Sequence, residues 1–348
     1  LATGTPVENS LRDFWCLMDT ACPGYLGSHQ EFLKEYVAPI ANSIEPERSD
    51  IQLEKGRALR KVVGPLMLRR LKEDHIEGLP AKHIHIGDEL DAQRYMPELH
   101  AIMTGKQLSA YEQVIDALEA QEQKDVLAAL QQLRAISLHP RASDPKLMQD
   151  LSRQSFHLCV SESTKMERLL QVIEIVRARE EKCIVFVVNK NIQRLLSYVL
   201  SQHFKLPMVS VINGDTKAVD KTQSRRSKTT AKSTGTGTRK SIIQDFESKP
   251  GFNVIVMSPL AAGVGLTIVG ANNVVHYERH WNPAKEAQAT DRIYRIGQTK
   301  DVNVYVPLLH HPKFESFDVN LNKLLSQKTM TADAVVAVED VNPSPGGI

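Results

Sequence analysis

The sequence predicts an α/β protein in which a mostly helical region precedes a parallel β-sheet flanked by helices. From about Ser161 onward, short apolar runs such as CIVFVV and NVIVMS alternate with helical segments, which is the pattern of a parallel sheet. Residues 28–138 contain charge-rich amphipathic segments, of which SAYEQVIDALEAQEQKDVLAALQQLRAI is the clearest. The 348 residues are 42% hydrophobic, which is enough for about two domains with a real core.

The amino-terminal segment, from Leu1 to about Leu26, combines a turn with a helix. TGTP is a turn signal. The apolar residues that follow it recur at helical spacing and are Leu11, Phe14, Trp15, Leu17 and Met18. Residues from Ser28 to about Leu138 are then predicted to be mostly helical.

The remainder of the chain is predicted to alternate helices with strands. The helices are MERLLQVIEIVRAREE, NIQRLLSYVLSQHF and SIIQDFES, and the strands are CIVFVV, MVSVIN, NVIVMS, NVVHYE and VNVYVPL. Continuous Val- and Ile-rich runs are typical of parallel strands that are buried on both faces.

Two segments are predicted to carry no packed structure. The loop at 216–240 is basic and rich in Thr and Ser, with almost no large apolar residue, so it cannot bury a face. It is either a solvated insertion or a flexible arm that contacts phosphates. The tail from Ala332 to Ile348 ends in NPSPGGI and is predicted to begin a linker.

The amino-acid composition restricts the classes of function that the protein can have. The net charge of +2 does not by itself argue for nucleic acid, so a basic surface has to be local. Cys16, Cys22, Cys159 and Cys183 lack metal-binding spacing and indicate reduced intracellular thiols. The absence of a signal peptide and of an 18-residue apolar run argues against secretion and membrane spanning. Because the chain begins with Leu1 and inside a motif, we interpret it as a piece of a longer protein.

The most informative residues are Gln288, Arg292 and Arg295. The two arginines are three apart, a spacing that places side chains on one helix face. Guanidinium groups stay charged and bind oxygens bidentately, so this pair suits a polyphosphate. An arginine presented to a γ-phosphate across an interface is a recurring part of nucleotide hydrolysis.

Other polar residues follow the predicted strands. Asn189 and Lys190 come after one strand, and Asn213 and Gly214 after the next. Ligands of open α/β sheets bind at the carboxyl ends of strands, so these residues are candidate ligand contacts.

Three patterns that suggest other sites are rejected. GTGTRKS (235–241) has Arg239 where a phosphate loop requires glycine, and it does not follow a strand. The glycines of AGVGLTIVG do not fit the GxGxxG pattern of dinucleotide sites. The histidines that lie close together in the sequence, His83 with His85 and His310 with His311, have no third ligand at zinc spacing, so no metal site is predicted.

Several segments together resemble the C-terminal half of the Swi/Snf-like DNA-dependent ATPases of helicase superfamily two, in a form that resembles bacterial members. The matching segments, in order, are LATGTPVENSLRDFWCLMDTACPG, PLMLRRLKEDHIEGLPAK, LRAISLHP, EKCIVFVVNK, INGDT, SPLAAGVGLTIVGANNVVHYERHWNP and QATDRIYRIGQ. They run from Leu1 to about Leu309. In departures from the family pattern, Ser137 replaces a cysteine, and Arg279 and His280 precede Trp281 where an acidic residue is common.

The resemblance implies a domain organisation. Residues 1–26 would end a first RecA-like lobe, and 27–154 would form a helical insertion or brace that includes Arg69 and Arg70. Residues 155–310 would be the second RecA-like lobe, carrying the basic loop, and 311–348 would be a C-terminal extension or linker.

The resemblance also implies roles for individual residues. The catalytic groups would be Gln288, Arg292 and Arg295, facing the γ-phosphate. Residues that bind ATP or couple its hydrolysis to lobe movement would be Gly263, Gly265, Asp291, Thr3, Gly4 and Thr5. Residues that contact DNA would be Asn189, Lys190, Asn213, Gly214, Ser258, Ala261 and Trp281, although packing between helices is an equally open role for Trp281.

The implied cofactors are ATP and Mg²⁺, with their main ligands on the first lobe, since the chain contains neither GxxxxGK[ST] nor a DEAH-type box. The implied partner is double-stranded DNA, bound through phosphates inside a bacterial cell, in the cytoplasm or nucleoid, without a membrane. The expected function is an ATP-dependent duplex-DNA translocase or remodelling ATPase, and the chain alone is expected to be inactive. Two alternatives stay open: a strand-separating DNA or RNA helicase, and a non-catalytic nucleic-acid-binding half-motor.

Overall fold

The computed structural model of the chain describes residues 7, 10–43, 47–67, 78–120, 125–144, 155–217, 238–262 and 266–336. Several residues singled out by the sequence lie outside this part, namely Thr3, Gly4, Thr5, Arg69, Arg70, Gly263, Gly265 and most of the 216–240 loop. The chain forms two compact units. The first contains residues 1–77, 281–284 and 323–348, and the second contains residues 78–280 and 285–322.

The first unit is helical where the structure describes it. Helix α1 (Leu11–Ala21) begins with a capping box, in which Ser10 and Asp13 satisfy each other's backbone amides. It is followed by α2 (His29–Phe32), a π-helical turn (Leu33–Val37), α3 (Ala38–Ala41) and α4 (Glu47–Val63). The helices bury a common apolar cluster that contains Leu11, Phe14, Met18, Phe32, Tyr36, Leu59, Val63 and Val335. The helix predicted from the apolar spacing after TGTP is therefore confirmed.

The second unit is built on a six-stranded parallel sheet. Its strands are β1 (Lys82–Ile86), β3 (Lys182–Phe186), β4 (Val211–Ile212), β5 (Asn253–Met257), β6 (Asn273–His276) and β7 (Val302–Val306). Their order across the sheet is β1-β7-β6-β3-β5-β4, and every neighbouring pair is parallel. A second, two-stranded parallel sheet pairs β2 (His100–Ile102) with β8 (Leu308–His310). The α/β prediction is confirmed.

Helices cover both faces of the large sheet. Alternate residues of β3 and β5 point to opposite faces, so Val185 and Val256 join one core, while Phe186 and Met257 join the other. The first core includes α8 (Thr164–Ala178) and α9 (Lys190–Phe204). The second includes α10 (Arg239–Ser248), α11 (Pro259–Ala262) and α12 (Pro283–Thr290). The remaining helices are α5 (Gly105–Glu119), α6 (Val126–Leu138), α7 (Phe156–Ser161) and α13 (Phe317–Val336).

The fold differs from the sequence-based expectation in two regions. Strands β1 and β2 lie within 27–154, a segment predicted to be mostly helical. Strand β1 forms because the Ile residues of KHIHI alternate with exposed or half-exposed histidines beside β7. Helix α13 continues through Val336, whereas the linker was predicted to start at Ala332. The reason for the second difference is that Val335 is fully buried in the apolar cluster of the first unit.

Candidate functional site

The carboxyl ends of four adjacent strands present polar residues at one edge of the large sheet. Asn189 lies shortly after β3, Asn213 directly after β4, Ser258 directly after β5 and Glu278 two residues after β6. Since the strands are parallel, all four residues lie at the same edge. Three of them were singled out from the sequence, whereas Glu278 was not.

Asn189 and Lys190 form the start of α9. The Asn189 side-chain oxygen accepts hydrogen bonds from the backbone amides of Asn191 (2.9 Å) and Ile192 (3.2 Å), so Asn189 is the N-cap. The Lys190 ammonium contacts both carboxylate oxygens of Asp215, at 2.9 and 2.8 Å. Both partners of this ion pair are exposed, with 59% and 70% of the side-chain surface accessible.

Asn213 organises the turn after β4. Its side-chain oxygen accepts from the Asp215 amide at 2.9 Å, and its side-chain nitrogen donates to Gln193 at 2.9 Å. Its own carbonyl accepts from the Arg239 guanidinium at 3.2 Å. Gly214, next to it, is exposed, and a side chain at this position would meet open space. These bonds fix Asn213 on the inner side of the turn, whereas Gly214 and Asp215 remain exposed.

Ser258 and Ala261 are buried residues of the turn after β5. The Ser258 amide donates to the carbonyl of Ile212 at 2.8 Å, and the Ser258 carbonyl accepts from Ala262 at 3.1 Å. Ser258 is 8% exposed and Ala261 is 4% exposed. Any contact these two residues make with a ligand therefore has to come from the backbone or after a rearrangement.

Glu278 is the functional candidate that the sequence analysis missed. One of its carboxylate oxygens accepts the backbone amides of Val188 and Asn189, both at 2.7 Å. The other contacts the Arg134 guanidinium at 2.7 Å. The available signal was its position as the last residue of the predicted strand NVVHYE, but an acidic residue at a strand end has many ordinary explanations.

The residues Gln288, Asp291, Arg292 and Arg295 lie on and after α12. Gln288 is exposed on the helix itself. The helix ends at Thr290, so Arg292 and Arg295 lie in the turns that follow and not on a shared helix face, contrary to the expectation from their spacing. After Thr290 the backbone tightens into turns, in which the amides of Arg292 and Ile293 donate to carbonyls three residues back, at 3.2 and 3.0 Å. The Arg292 carbonyl then accepts from the distant Ile268 amide at 3.0 Å.

Residues 288–298 are held against the segment 266–271 by further bonds. The Arg295 guanidinium donates to the Thr267 hydroxyl at 3.1 Å, and Arg295 is otherwise exposed. The Gln298 side chain donates to the carbonyls of Val269 (3.2 Å) and Ala271 (2.8 Å). The structure thus joins part of SPLAAGVGLTIVGANNVVHYERHWNP to QATDRIYRIGQ, two of the segments on which the resemblance rests. We call residues 288–298 the arginine segment.

The end of α12 is anchored to the sheet by a buried histidine. The ring of His276, the last residue of β6, hydrogen-bonds the Thr290 hydroxyl at 2.9 Å and stacks on Phe186 with ring centroids 5.3 Å apart. Burial lowers the pKa of His276 to about 4, because a charged imidazole is disfavoured away from water. His276 is therefore neutral at physiological pH.

The start of α12 is fixed by a buried ion pair. The Arg279 guanidinium binds both oxygens of Glu286, with three contacts of 2.8, 3.0 and 2.8 Å, and also contacts Asn322 at 2.6 Å. Burial alone would raise the pKa of Glu286, but the adjacent Arg279 charge and the hydrogen bonds to the carboxylate hold this pKa below its ordinary value. Arg279, noted from the sequence as a departure, thus has a structural role.

Trp281 lies in the segment 281–284, which belongs to the first unit. It is 36% exposed, and its carbonyl accepts from the Lys328 ammonium at 3.1 Å. This contact fixes its backbone within that unit. Its predicted role at DNA stays a prediction.

The described residues contain neither a metal-binding cluster nor a membrane-spanning helix. No group of three or more His, Cys, Asp or Glu side chains in this part of the chain is arranged to hold a metal ion. Within the same residues, no helix has both the length and the apolar character required to span a membrane.

Comparison with known families identifies the class of protein. Residues 1–142 match the SNF2-related domain, and residues 164–297 match the helicase conserved C-terminal domain. The chain therefore belongs to the SNF2 family of ATP-dependent helicases and translocases, and the resemblance noted from the sequence is confirmed. Strands β3 to β6 lie inside the second match, so the large parallel sheet is the RecA-like sheet that the resemblance implies.

The chain is similar to several individual proteins. The Zorya protein ZorD of Escherichia coli is 36% identical over 345 residues, which cover 98% of this chain and 29% of that protein. The ATP-dependent helicase/translocase YwqA of Bacillus subtilis, whose assignment is described as putative, is 29% identical, with 97% and 32% covered. The solved ATPase core domain of the Sulfolobus solfataricus SWI2/SNF2 protein is 26% identical with a TM-score of 0.46, covering 88% of this chain and 55% of that one. The chain thus spans about a third of the length of the two curated relatives.

Proposed function

We propose that the chain is the C-terminal part of an ATP-dependent double-stranded-DNA translocase. The observation that carries the proposal is the bonding of the arginine segment to residues 266–271, which holds Arg295 exposed at 3.1 Å from Thr267. In this account Arg292 and Arg295 stabilise the charge of a transferred γ-phosphoryl group, and Gln288 orients the reacting groups. Asp291 lies between Gln288 and Arg292 and is proposed to bind ATP or to couple its hydrolysis to lobe movement.

The carboxyl edge of the sheet supplies the proposed contacts to DNA. The proposed donors are the exposed Lys190 ammonium and the side-chain nitrogen of the half-buried Asn189, and the exposed backbone at Gly214 allows a phosphate to approach closely. Contacts of this kind read no sequence and depend strongly on salt. Ser258, Ala261 and Trp281 belong to the proposal as secondary contacts.

The proposed domain boundaries remain those of the sequence analysis, with the end of a first lobe at 1–26, a helical brace at 27–154, a second lobe at 155–310 and an extension at 311–348. Support for the second lobe comes from the helicase C-terminal match at 164–297. Strand β1, at Lys82–Ile86, adds to the sheet of this lobe from within the proposed brace. The brace is thus continuous with the lobe through backbone hydrogen bonds.

ATP and Mg²⁺ are the proposed cofactors. The residues present suit the phosphate side of such a site, because guanidinium groups bind phosphate oxygens, whereas the phosphate loop and acidic box are proposed to belong to the first lobe. Mg²⁺ when bound would neutralise charge on the β- and γ-phosphates. The 348-residue chain alone is therefore expected to hydrolyse no ATP, and Mg²⁺-dependent turnover by the purified chain would contradict this.

The function itself is tested on the complete protein that carries this chain. ATP hydrolysis is measured with duplex DNA, single-stranded DNA and RNA, beside displacement of a third strand from a triplex and separation of a duplex. We expect duplex DNA to stimulate hydrolysis and the triplex strand to be displaced while the duplex stays paired. Strand separation would favour a helicase, and nucleic-acid binding without hydrolysis would favour a non-catalytic half-motor.

A further inference from the structure

A buried carboxylate lies beneath the proposed DNA-contacting loop of residues 187–190. Glu278 is 5% exposed at its side chain, and its oxygens make three contacts of 2.7 Å, two to the consecutive backbone amides of Val188 and Asn189 and one to Arg134. Two amides converging on one carboxylate oxygen form charge-assisted hydrogen bonds, which are among the strong ones. The loop is thus fixed by a group that never reaches the surface.

The arrangement also ties α6 to the same loop. Arg134 is on α6 and is 16% exposed at its side chain. At the end of this helix, the Leu138 carbonyl accepts from the Tyr277 hydroxyl at 2.5 Å. Four residues further on, the Ala142 carbonyl accepts from the Asn191 side chain at 3.3 Å. The segment LRAISLHP and the two residues after it therefore lie across the ends of β3 and β6.

The bonds made by Glu278 determine which hydrogen-bond donors of the 187–190 loop remain available to a ligand. The amides of Val188 and Asn189 are occupied by the carboxylate, and the Asn189 side-chain oxygen caps α9. The remaining side-chain donors of the loop are the Asn189 nitrogen and the exposed Lys190 ammonium, which contacts Asp215 in the free protein. The position of these two side chains depends on the backbone of Val188 and Asn189, whose amides bond to Glu278.

We infer that Glu278 and Arg134 form a positioning pair, which sets the 187–190 loop so that Lys190 and Asn189 meet a DNA phosphate, and through which α6 is coupled to that contact. This inference rests on the proposed function, because it assigns a purpose to residues proposed to contact DNA. Glu278 itself does not touch the nucleic acid.

The structural half of the inference is tested by amide hydrogen exchange on the complete protein. In Glu278→Gln, we expect exchange at Val188 and Asn189 to accelerate by roughly tenfold or more at matched global stability, because charge-assisted bonds to these amides are lost. Asp318→Asn is the matched control, since Asp318 is also buried and ion-paired, at 2.5 Å from Lys165, but does not contact the loop. Equal acceleration in both variants, or none in Glu278→Gln, would overturn the inference.

A conservative variant at Arg134 covers the case in which Glu278→Gln does not fold. Arg134→Lys keeps the positive charge but lacks the planar fork of the guanidinium. We expect it to accelerate exchange at the same two amides by a smaller factor than Glu278→Gln does. Unchanged exchange in a folded Arg134→Lys protein would show that α6 is not coupled to the loop.

The functional half is tested by duplex-stimulated ATP hydrolysis. Glu278→Gln is expected to raise the DNA concentration for half-maximal stimulation by roughly threefold to tenfold, with kcat at saturating DNA retained, and to reduce the salt slope by about 1. The increase should vanish when Lys190→Ala is already present, because Glu278 acts through Lys190. An undiminished increase in that background would overturn the inference but leave the proposed function intact.

Failure of the proposed function would give a different pattern. If Lys190→Ala leaves the half-maximal DNA concentration and its salt slope unchanged, the proposed DNA contact at Lys190 is wrong. The functional half of the inference then falls with it, even where the hydrogen-exchange result still shows that Glu278 holds the loop.

Discussion

Lys190 is a proposed DNA contact whose ammonium is occupied by Asp215 in the free protein. An exposed ion pair of this kind contributes only about 0–1 kcal/mol to stability, so a phosphate can displace the carboxylate. The displaced carboxylate remains nearby and repels the phosphate. Asp215 is thus expected to hold DNA affinity below the value that Lys190 alone would give.

Asp215→Asn is therefore expected to tighten duplex binding by roughly twofold to fivefold at low salt, with the gain shrinking as salt screens the charges. Affinity is measured by fluorescence anisotropy over a range of salt concentrations. The matched control is Asp245→Asn on α10, which changes the same charge in an exposed pair with Lys249. Equal gains in both variants would show a net-charge effect and not a local one.

His276 predicts an acid sensitivity of the fold. Its pKa is about 4 in the folded protein and about 6.5 when exposed in the unfolded chain. Because the unfolded state binds the proton more readily, stability is lost as pH falls from about 6.5 towards about 4. Between pH 7 and pH 5, this one group is expected to cost about 2 kcal/mol of unfolding free energy.

Denaturant unfolding of His276→Leu at pH 7 and pH 5 tests this expectation. The variant should lose about 2 kcal/mol less than the parent between the two pH values. Thr290→Val removes the same hydrogen bond but keeps the histidine, so it should retain the parent's pH dependence. A parent-like loss in His276→Leu would show that other groups cause the acid sensitivity.

At the scale of elements, Asn189 has two proposed roles that different variants separate. It caps α9, and loss of an N-cap typically costs about 1 kcal/mol. Asn189→Ala is thus expected to lower the unfolding free energy by about 1 kcal/mol. Asn189→Asp keeps the capping oxygen but adds a negative charge, so it should weaken DNA binding with little loss of stability. Equal destabilisation by both variants would contradict the cap.

The sequence predicted the elements whose packing is local and apolar. The buried strands from Lys182 onward were predicted because continuous Val- and Ile-rich runs such as CIVFVV are typical of buried parallel strands. Strand β1 was not found, since the histidines of KHIHI obscure an alternation whose partner, β7, lies more than two hundred residues further along the chain. The end of α12 was misplaced because the backbone turns after Thr290 and the Arg292 carbonyl bonds the distant Ile268 amide, and no local sequence pattern indicates such a tertiary bond.

At the scale of the molecule, the sequence allowed the family and the edge of the sheet that carries the candidate site to be predicted. Gln288, Arg292 and Arg295 could be singled out because their residue types and spacing are unusual. Glu278 and Arg134 could not, because their pairing depends on how α6 lies across two strand ends. The two compact units also interleave along the chain, with residues 281–284 and 323–348 returning to the first, an arrangement that spacing alone does not indicate.

The central claim is that the arginine segment completes a nucleotide site. The most direct measurement is duplex-stimulated ATP hydrolysis by the complete protein beside Arg292→Ala, Arg295→Ala and the double variant, with surface Arg177→Ala as control. We predict that the single variants lose roughly 100- to 1000-fold in kcat while DNA binding is retained, and that Arg177→Ala matches the parent. Full turnover in the double variant, or loss of DNA binding in parallel with kcat, would contradict the claim.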